Sequence, residues 1–339
     1  MAVTIKDVAA LAGVSPSTVS RTCKNHISIS KETKERVRHA MAQLGYEPNL
    51  QTGNLSSQTV ETIGIILPPS YHETYENSFY LEAIRGISQF CNQHQYINTI
   101  ITGQNTEEIL GAIRTMNTTN QIEGFIVMYS KQDDIIIDYL CNEGILYVLI
   151  GKAQQLANQT IHIDNDNILA GKEATEYLYQ LGHTKIAYLG SESLFLFSAD
   201  RKAGYELALK HHGIAVLPEY CIEVNCIPEK DSENIRALLE QKERPTAIVV
   251  SDDILAVALE RTCIRMGLSI PKDLSIVSFN NSLFARLTSP QLTSIDINSF
   301  QLGMEAASQM INHIENPNLL ATKIIVSHCL IERDSCRKL

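Results

Sequence analysis

The chain has 339 residues, 44% of them hydrophobic and 19% charged, enough length and apolar content to bury a core and to rule out wholesale disorder. Lys and Arg number 28 against 38 Asp and Glu, a formal charge of −10, which taken over the whole chain argues against a polyanion partner. The charge is unevenly placed, however: residues 1–60 hold seven basic side chains and four acids, an excess of +3, and the remainder carries −13, so one end suits a polyanion and the rest does not.

Thr4 followed by Asp7 has the form of a capping box, and Ile5, Val8, Ala9 and Ala12 recur at helical spacing. Gly13 ends this first helix, Val14 occupies the turn, and Ser15-Pro16 supplies a capping hydroxyl followed by a proline at the first helical position. A second helix is predicted over Pro16–Cys23. A third begins after Ser30, carries Val37, Ala40, Met41 and Leu44 as its apolar stripe and stops at Gly45. Two short helices joined across a glycine turn and supported by a third form a helix-turn-helix, whose second helix offers its N-terminal residues to the DNA major groove. Pro16, Ser17 and Arg21 are the exposed reading candidates, Arg21 because a guanidinium can grip O6 and N7 of guanine with two bonds. Thr4, Ser15, Thr18, Asn25 and Ser30 offer hydroxyl, amide or helix N-terminal N–H groups to phosphate, and Val19 is expected to pack inward.

The ordered string Val3-Thr4-Ile5-Lys6-Asp7-Val8-Ala9, Ala12-Gly13-Val14-Ser15, Ser17-Thr18-Val19-Ser20-Arg21, Ser30-x-x-Thr33-x-x-Arg36-Val37 and Gly45-Tyr46-x-Pro48-Asn49 resembles the DNA-binding headpiece of the LacI/GalR family of bacterial repressors. The resemblance implies that Tyr46 and Asn49 join the DNA-contacting set. It also implies a hinge helix after Pro48-Asn49 that folds on the operator and wedges Leu55 into the minor groove. Thr52 and Gly53 stand where the family usually has Ala and Arg. A glycine costs about 1 kcal/mol against alanine in a helix, and the missing arginine removes a backbone contact, so this hinge is expected to fold less readily than most.

From Thr62 onward, β-branched runs (Ile63–Pro68, Ile97–Thr102, Ile122–Met128, Leu146–Ile150, Ile161–Asp164, Ile186–Gly190, Ala247–Val250, Leu274–Phe279) alternate with amphipathic segments such as Ala83-Ile87-Phe90 and Ala174-Leu178-Leu181. That alternation predicts parallel sheets covered on both faces, with ligands bound beyond the carboxyl ends of the strands. No G-x-G-x-x-G, Walker A, H-E-x-x-H or G-x-S-x-G string occurs, which removes the main support for dinucleotide, nucleotide-triphosphate, zinc-protease and serine-hydrolase chemistry. The eight cysteines are dispersed without a C-x-x-C pair, so neither a disulfide framework nor a metal site is expected. Residues 1–30 carry no export leader and no apolar run is long enough to cross a bilayer, so the expectation is a cytoplasmic chain with no membrane association and no cofactor.

Gly86-Ile87 after Phe79-Tyr80, Asp164-Asn165 with Gly171, Leu181-Gly182-His183-x-Lys185-Ile186, Arg201-x-x-Gly204-Tyr205, Asp252-Asp253, Pro271-x-Asp273 and Ser289-Pro290-x-Leu292-Thr293 are similar to the core of the same family. The implied fold is an N-terminal all-α helix-turn-helix headpiece on an α/β core resembling periplasmic binding proteins, with two Rossmann-like lobes of parallel sheet. The implied organisation is a headpiece over 1–48, a hinge over 49–60 and an effector-binding and dimerisation core over 61–339. Lobe one is expected at about 61–160 and 292–320, lobe two at about 161–291 and 321–339.

A sugar site wants aromatic faces for the ring and planar or charged groups for the hydroxyls. Arg201 falls on the family's effector arginine. Asp252 takes the place of a frequent Asn and Asn280 that of a frequent Asp, both after strands. Lys152, just past Ile150, can reach from the opposite lobe. Phe79, Tyr80, Phe195 and Phe197 are stacking candidates. Each has an ordinary alternative: Asp252 can cap a helix, the rings can be core, and Asp200 can neutralise Arg201. The stretch Asp164-Asn165-Asp166-Asn167, the loop Leu194–Arg201 and Ile150-Gly151-Lys152 resemble regulators of maltose operons, which implies maltose or a maltodextrin as effector. The expected protein is a homodimeric repressor, not an enzyme, whose partners are double-stranded operator DNA and a small sugar. No residue argues for a phosphocarrier co-repressor, a partner of some relatives. The rivals are an exported solute receptor, which needs a leader, and a carbohydrate-active enzyme, which needs a spaced pair of carboxylates.

Overall fold

The computed structural model describes residues 4–23, 29–46, 61–69, 77–119, 122–154, 156–191, 195–224 and 228–339. Three helices form the N-terminal unit: α1 (Ile5–Ala12), α2 (Pro16–Cys23) and α3 (Lys31–Leu44). The caps are those expected. The Thr4 N–H and hydroxyl donate to the Asp7 carboxylate at 2.8 and 2.7 Å, Ser15 Oγ accepts from Thr18 N–H at 3.2 Å, and Ser30 Oγ accepts from Thr33 N–H at 3.2 Å. Gly13, at φ 64°, makes the turn between α1 and α2 in the left-handed region that glycine enters without steric cost. Val8, Ala9, Ala12, Val19, Val37 and Ala40 close a small core among the three helices.

The body contains β1 (Thr62–Ile66), α4 (Ser78–Gln93), β2 (Ile97–Ile101), α5 (Thr106–Thr118), β3 (Gly124–Val127), α6 (Ile135–Asn142), β4 (Tyr147–Ile150), β5 (Ile161–Asp164), α7 (Asn167–Gln180), β6 (Ile186–Ser191), α8 (Leu196–His211), β7 (Cys221–Val224), α9 (Pro228–Leu239), β8 (Ala247–Val250), α10 (Asp253–Arg265), β9 (Ser275–Phe279), α11 (Leu283–Leu287), β10 (Thr293–Asp296), α12 (Ser299–Glu315), β11 (Lys323–Ile325) and β12 (Cys329–Ile331). They build two six-stranded sheets, ordered β11-β5-β4-β3-β1-β2 and β12-β10-β9-β8-β6-β7. The first is parallel throughout. The second is parallel except for β12, which runs against β10. Strands β1, β3, β4, β6, β8 and β9 are buried almost from end to end, as continuous apolar runs should be when helices cover both faces.

The lobe boundaries differ from those expected. Strand β5 belongs to the first sheet, between β4 and β11, and β10 belongs to the second. Helix α12 returns to the first lobe and packs on α4. The chain therefore crosses between lobes three times, at about 165–166, 297–298 and 327–328, and strand pairing rather than sequence order assigns each segment. One side chain bonds to both of the other crossing segments: Asn165 Nδ2 donates to the Ile297 carbonyl at 3.0 Å and to the Val326 carbonyl at 2.8 Å, while Asn298 Nδ2 donates to the Ser327 carbonyl at 2.7 Å between the second and third crossings.

One close helix pair sets the second lobe. On α7 and α8, a Cβ on Gly204 would lie 2.0 Å from the Ile168 carbonyl oxygen, and one on Gly171 would lie 2.1 Å from that of Arg201. Only a hydrogen at both positions lets the two backbones meet, and that contact fixes where the first turns of α8 point.

Candidate functional site

Two surfaces carry the chemistry the sequence suggested. On the headpiece, Thr4, Ser15, Pro16, Ser17 and Ser30 are exposed and Thr18 is half-buried. Ser15 Oγ lies 2.8 Å from Ser17 Oγ and 2.9 Å from Thr18 Oγ1, a cluster of hydroxyls at the N-terminus of α2, where backbone N–H groups also favour an anion. Val19 is fully buried, as expected. Asn25, Asn49 and Leu55 lie outside the described residues. Tyr46 is half-buried against the headpiece core, and burial raises its pKa, so its ring acts first as packing.

Arg21 departs from the expectation of exposure. Only 6% of it is accessible, and its Nη1 is buried without a hydrogen-bond partner among the described residues. Burial lowers its pKa, while the fields of Glu123, Tyr96 and Glu61 oppose that shift. The residues flanking β1 and β3 thus present carboxylates that attract the guanidinium. In this arrangement Arg21 is covered, and a base could reach it only after that contact is given up.

The second surface is the cleft at the carboxyl ends of the two sheets. Arg201, in the second turn of α8, is 3% exposed. Its Nε donates to Asn167 Oδ1 at 2.9 Å and its Nη1 to the Ser251 carbonyl at 2.5 Å. The guanidinium lies 4.3 Å from the centre of the Phe279 ring and 5.0 Å from that of Phe197, favourable cation–π separations. No described residue bonds its Nη2. Burial lowers the pKa of Arg201 to about 10, against the fields of Tyr188, Asp252, Asp164 and Asp253, so it stays charged at neutral pH.

Asp164, at the end of β5, accepts from Asn165 N–H at 2.8 Å and from Asn167 Nδ2 at 3.0 Å through Oδ1. A chain of polar contacts thus runs from Asp164 through Asn167 to Arg201. Burial raises the Asp164 carboxyl to about 7; the Asn165 N–H bond lowers it, Asp200 adds to the rise, and Arg201 and Lys152 oppose it.

Asp200 does not neutralise Arg201. Its two oxygens hold Lys152 Nζ of the other lobe at 3.0 and 2.9 Å. Asp252 takes the structural role open to it: Oδ1 accepts from Ile254 and Leu255 N–H, both at 2.9 Å, and caps α10, leaving Oδ2 for any ligand. Asn280 has φ 94°, a conformation that asparagine tolerates better than most non-glycine residues, and no described group bonds its side chain. Asn281, beside it, is committed to Asp296 at 2.8 Å. Phe195 and Phe197 face each other at 5.9 Å. Phe195 also pairs by backbone with Lys131 of the first lobe, and Leu196 N–H donates to the Ser130 carbonyl at 3.3 Å. Phe79 and Tyr80, at the start of α4, meet edge to face at 5.2 Å and pack partly into the core between the sheets. No contact joins Phe79 to Arg201.

The structure thus brings Lys152, Phe197, Arg201 and Asp252 into one network and shows Asp164, Asn167 and Asp200 as the groups that link it. Asp164 and Asn167 stand out in the sequence only as part of a stretch resembling maltose-operon regulators, which does not reveal what they contact. For Asp200, adjacency to Arg201 suggested the wrong partner, because consecutive helical residues point in different directions. Among the described residues no cluster could hold a metal ion, and no helix is long and apolar enough to cross a membrane.

Residues 4–49 match the profile of bacterial regulatory proteins of the lacI family, and residues 175–336 match a periplasmic binding protein-like domain. The chain is 34% identical to the HTH-type transcriptional regulator MalR of Streptococcus pneumoniae over 340 residues, covering 98% of this chain and 100% of the relative. It is equally 34% identical to MalR of Staphylococcus xylosus, with 98% of both covered. Among solved structures, a putative LacI transcriptional regulator from a Bacillus cereus strain superposes with a TM-score of 0.79 at 37% identity, covering 83% of this chain and 99% of the other. A probable maltose operon transcriptional repressor from a Staphylococcus gives 0.76 at 28% identity, covering 82% and 99%.

Proposed function

The chain belongs to the LacI family of bacterial regulatory proteins and is a DNA-binding transcriptional repressor, not an enzyme, and from that premise we propose that maltose or a maltodextrin bound between its lobes controls its grip on operator DNA. The observation that carries this reading is Arg201: a buried cation held between two aromatic rings, with one guanidinium nitrogen unspent, at the carboxyl ends of the strands where α/β sheets take their ligands. Phe79, Lys152, Phe195, Asp252 and Asn280 are its proposed partners at the sugar. The family relationship to maltose-operon regulators favours a glucose oligomer.

On DNA, Ser17 and Arg21 read bases and Thr4, Ser15, Thr18 and Ser30 hold phosphate, while Asn25, Asn49 and Leu55 are proposed contacts by resemblance. Reading by Arg21 requires the headpiece to turn away from Glu61 and Glu123. Two headpieces on a pseudo-palindrome need a dimer. The exposed apolar side chains Ile264, Leu283, Phe284 and Leu287 on α10 and α11, and Leu81 on α4, are suited to bury against a second copy. A repressor acts where the chromosome is, so the cytoplasm is the proposed location. The division into headpiece over 1–48, hinge over 49–60 and core beyond is retained as part of this proposal.

The test is a titration of labelled promoter DNA with the full chain, in the absence and presence of maltose, maltotriose and unrelated sugars. A change in operator affinity with the maltose series only, lost in Arg201→Ala, supports the reading. If no sugar alters operator affinity, control by this route is wrong. Arg21→Ala is expected to weaken specific binding by about 1–3 kcal/mol and leave sugar binding intact.

A further inference from the structure

The cleft brings together two cations, Lys152 and Arg201, one from each lobe, and either could serve as counter-ion to a phosphate or a carboxylate. Whether the site takes charged or uncharged sugars depends on what already neutralises them. Arg201 is committed to Asn167 and the Ser251 carbonyl and lies within the fields of Asp252 and Asp164. Lys152 is held by both oxygens of Asp200, at 2.9 and 3.0 Å.

The Lys152–Asp200 pair is not placed there for stability. The lysine side chain is 49% exposed and the aspartate 19%, and an ion pair so open to water adds little to folding. Its position is nevertheless closely controlled. Ser130 Oγ donates to the Lys152 carbonyl, and the Ser130 carbonyl accepts from Leu196 N–H across the cleft. Gly151, at φ 118°, has no room for a side chain: a Cβ there would lie 2.6 Å from that of Ser130. The loop after β4 is therefore pinned so that the ammonium meets α8 at Asp200.

We propose that Asp200 is the specificity-determining residue of this cleft: by holding Lys152 in an ion pair across the lobes, it reserves the site for uncharged sugars and excludes sugar phosphates and uronates. The proposal rests on the reading of the cleft as a sugar site. Among the described residues, Asp164, Asp200 and Asp252 face Lys152 and Arg201, and Asp133, Asp134 and Asp138 line the cavity beside Lys131 and Lys152, so an incoming anion meets an excess of like charge and finds Lys152 already engaged. A neutral sugar needs neither, since its hydroxyls can bond Lys152 and Asp200 while the pair persists.

Full-length wild type, Asp200→Asn, Asp200→Ser, Lys152→Met and the double variant Asp200→Asn with Lys152→Met are compared by calorimetric titration with maltose, maltotriose, glucose 6-phosphate and glucuronate. Operator binding checks that each variant is folded. Wild type is expected to prefer the neutral sugars. In Asp200→Asn and Asp200→Ser the ratio of glucose 6-phosphate affinity to maltose affinity should rise at least about tenfold, because Lys152 is released and a like charge removed. The double variant should lose that gain. The proposal is overturned if wild type binds glucose 6-phosphate as tightly as maltose, or if both Asp200 variants bind maltose with the wild-type selectivity. A folded wild type that binds none of the four sugars overturns the sugar reading itself, and this inference with it.

Discussion

The Asn165 amide, which bonds to both of the other interlobe crossings, offers a direct test of how the lobes are joined. Asn165 is 5% exposed, and its Nδ2 serves the Ile297 and Val326 carbonyls at 3.0 and 2.8 Å. Asn165→Ala removes both bonds and leaves two acceptors in segments that are themselves almost inaccessible. Each buried acceptor left unpaired costs about 1–3 kcal/mol, so the variant should be less stable by about 2–6 kcal/mol, with a melting temperature lower by about 3–8 °C for a chain of this size. Asn165→Asp keeps the shape but points carboxylate oxygens at carbonyl oxygens, so it should be worse than alanine. Urea unfolding followed by circular dichroism gives the stability, and hydrogen exchange locates the change. Protection should fall at residues 165–167, 297–299 and 326–328 and persist in β3 and β8. A stability within about 0.5 kcal/mol of wild type, the ordinary range for a surface substitution, together with unchanged exchange at the crossings, would refute the account of Asn165 as their common tie.

Three further outcomes follow from particular contacts. Gly204→Ala places a Cβ 2.0 Å from the Ile168 carbonyl oxygen; α7 and α8 must part by about 1 Å, at an overpacking cost of about 1–3 kcal/mol or more. Because Asn167 and Arg201 sit on those two helices, sugar affinity should fall with stability in calorimetry, whereas loss of stability with intact sugar binding would uncouple the helix spacing from the site. Asp252→Ala should cost about 1 kcal/mol through loss of the α10 cap and Asp252→Asn much less; equal melting temperatures for all three would remove the capping role. Asp164 has a folded-state pKa raised from 3.8 to about 7, so the folded protein holds that proton more tightly than the unfolded chain. Its contribution favours folding at low pH and declines as pH rises from about 4 to 7, then levels off. Urea denaturation of wild type and Asp164→Asn over that range should show the difference between them growing toward pH 7 in favour of the variant, and parallel pH profiles would count against the raised pKa.

The headpiece was readable almost completely because its determinants are local. Thr4 with Asp7, Gly13, Ser15-Pro16, Ser30 and Gly45 each act within one helical turn, and the observed caps fall on those residues. The buried strands were readable for a related reason: a parallel strand covered on both faces must be apolar along its length, as β3, β4 and β8 are. The short strands β10, β11 and β12, and the half-exposed β7, carry no such run, and their pairing partners rather than their composition make them strands. Arg201 and Lys152 were legible as site residues, yet their partners were not. Asn167 reaches Arg201 across 34 positions and Asp200 reaches Lys152 across 48, distances over which no spacing rule operates. The covering of Arg21 is of the same kind, since the carboxylates that attract it belong to the body. Local chemistry therefore determined which segments become helices and strands, and the family strings determined what class of protein they build. Which lobe each crossing segment joins, and which charge meets which, was decided only when the sheets assembled, because hydrogen bonds and ion pairs act over a few ångströms of space whatever the separation along the chain.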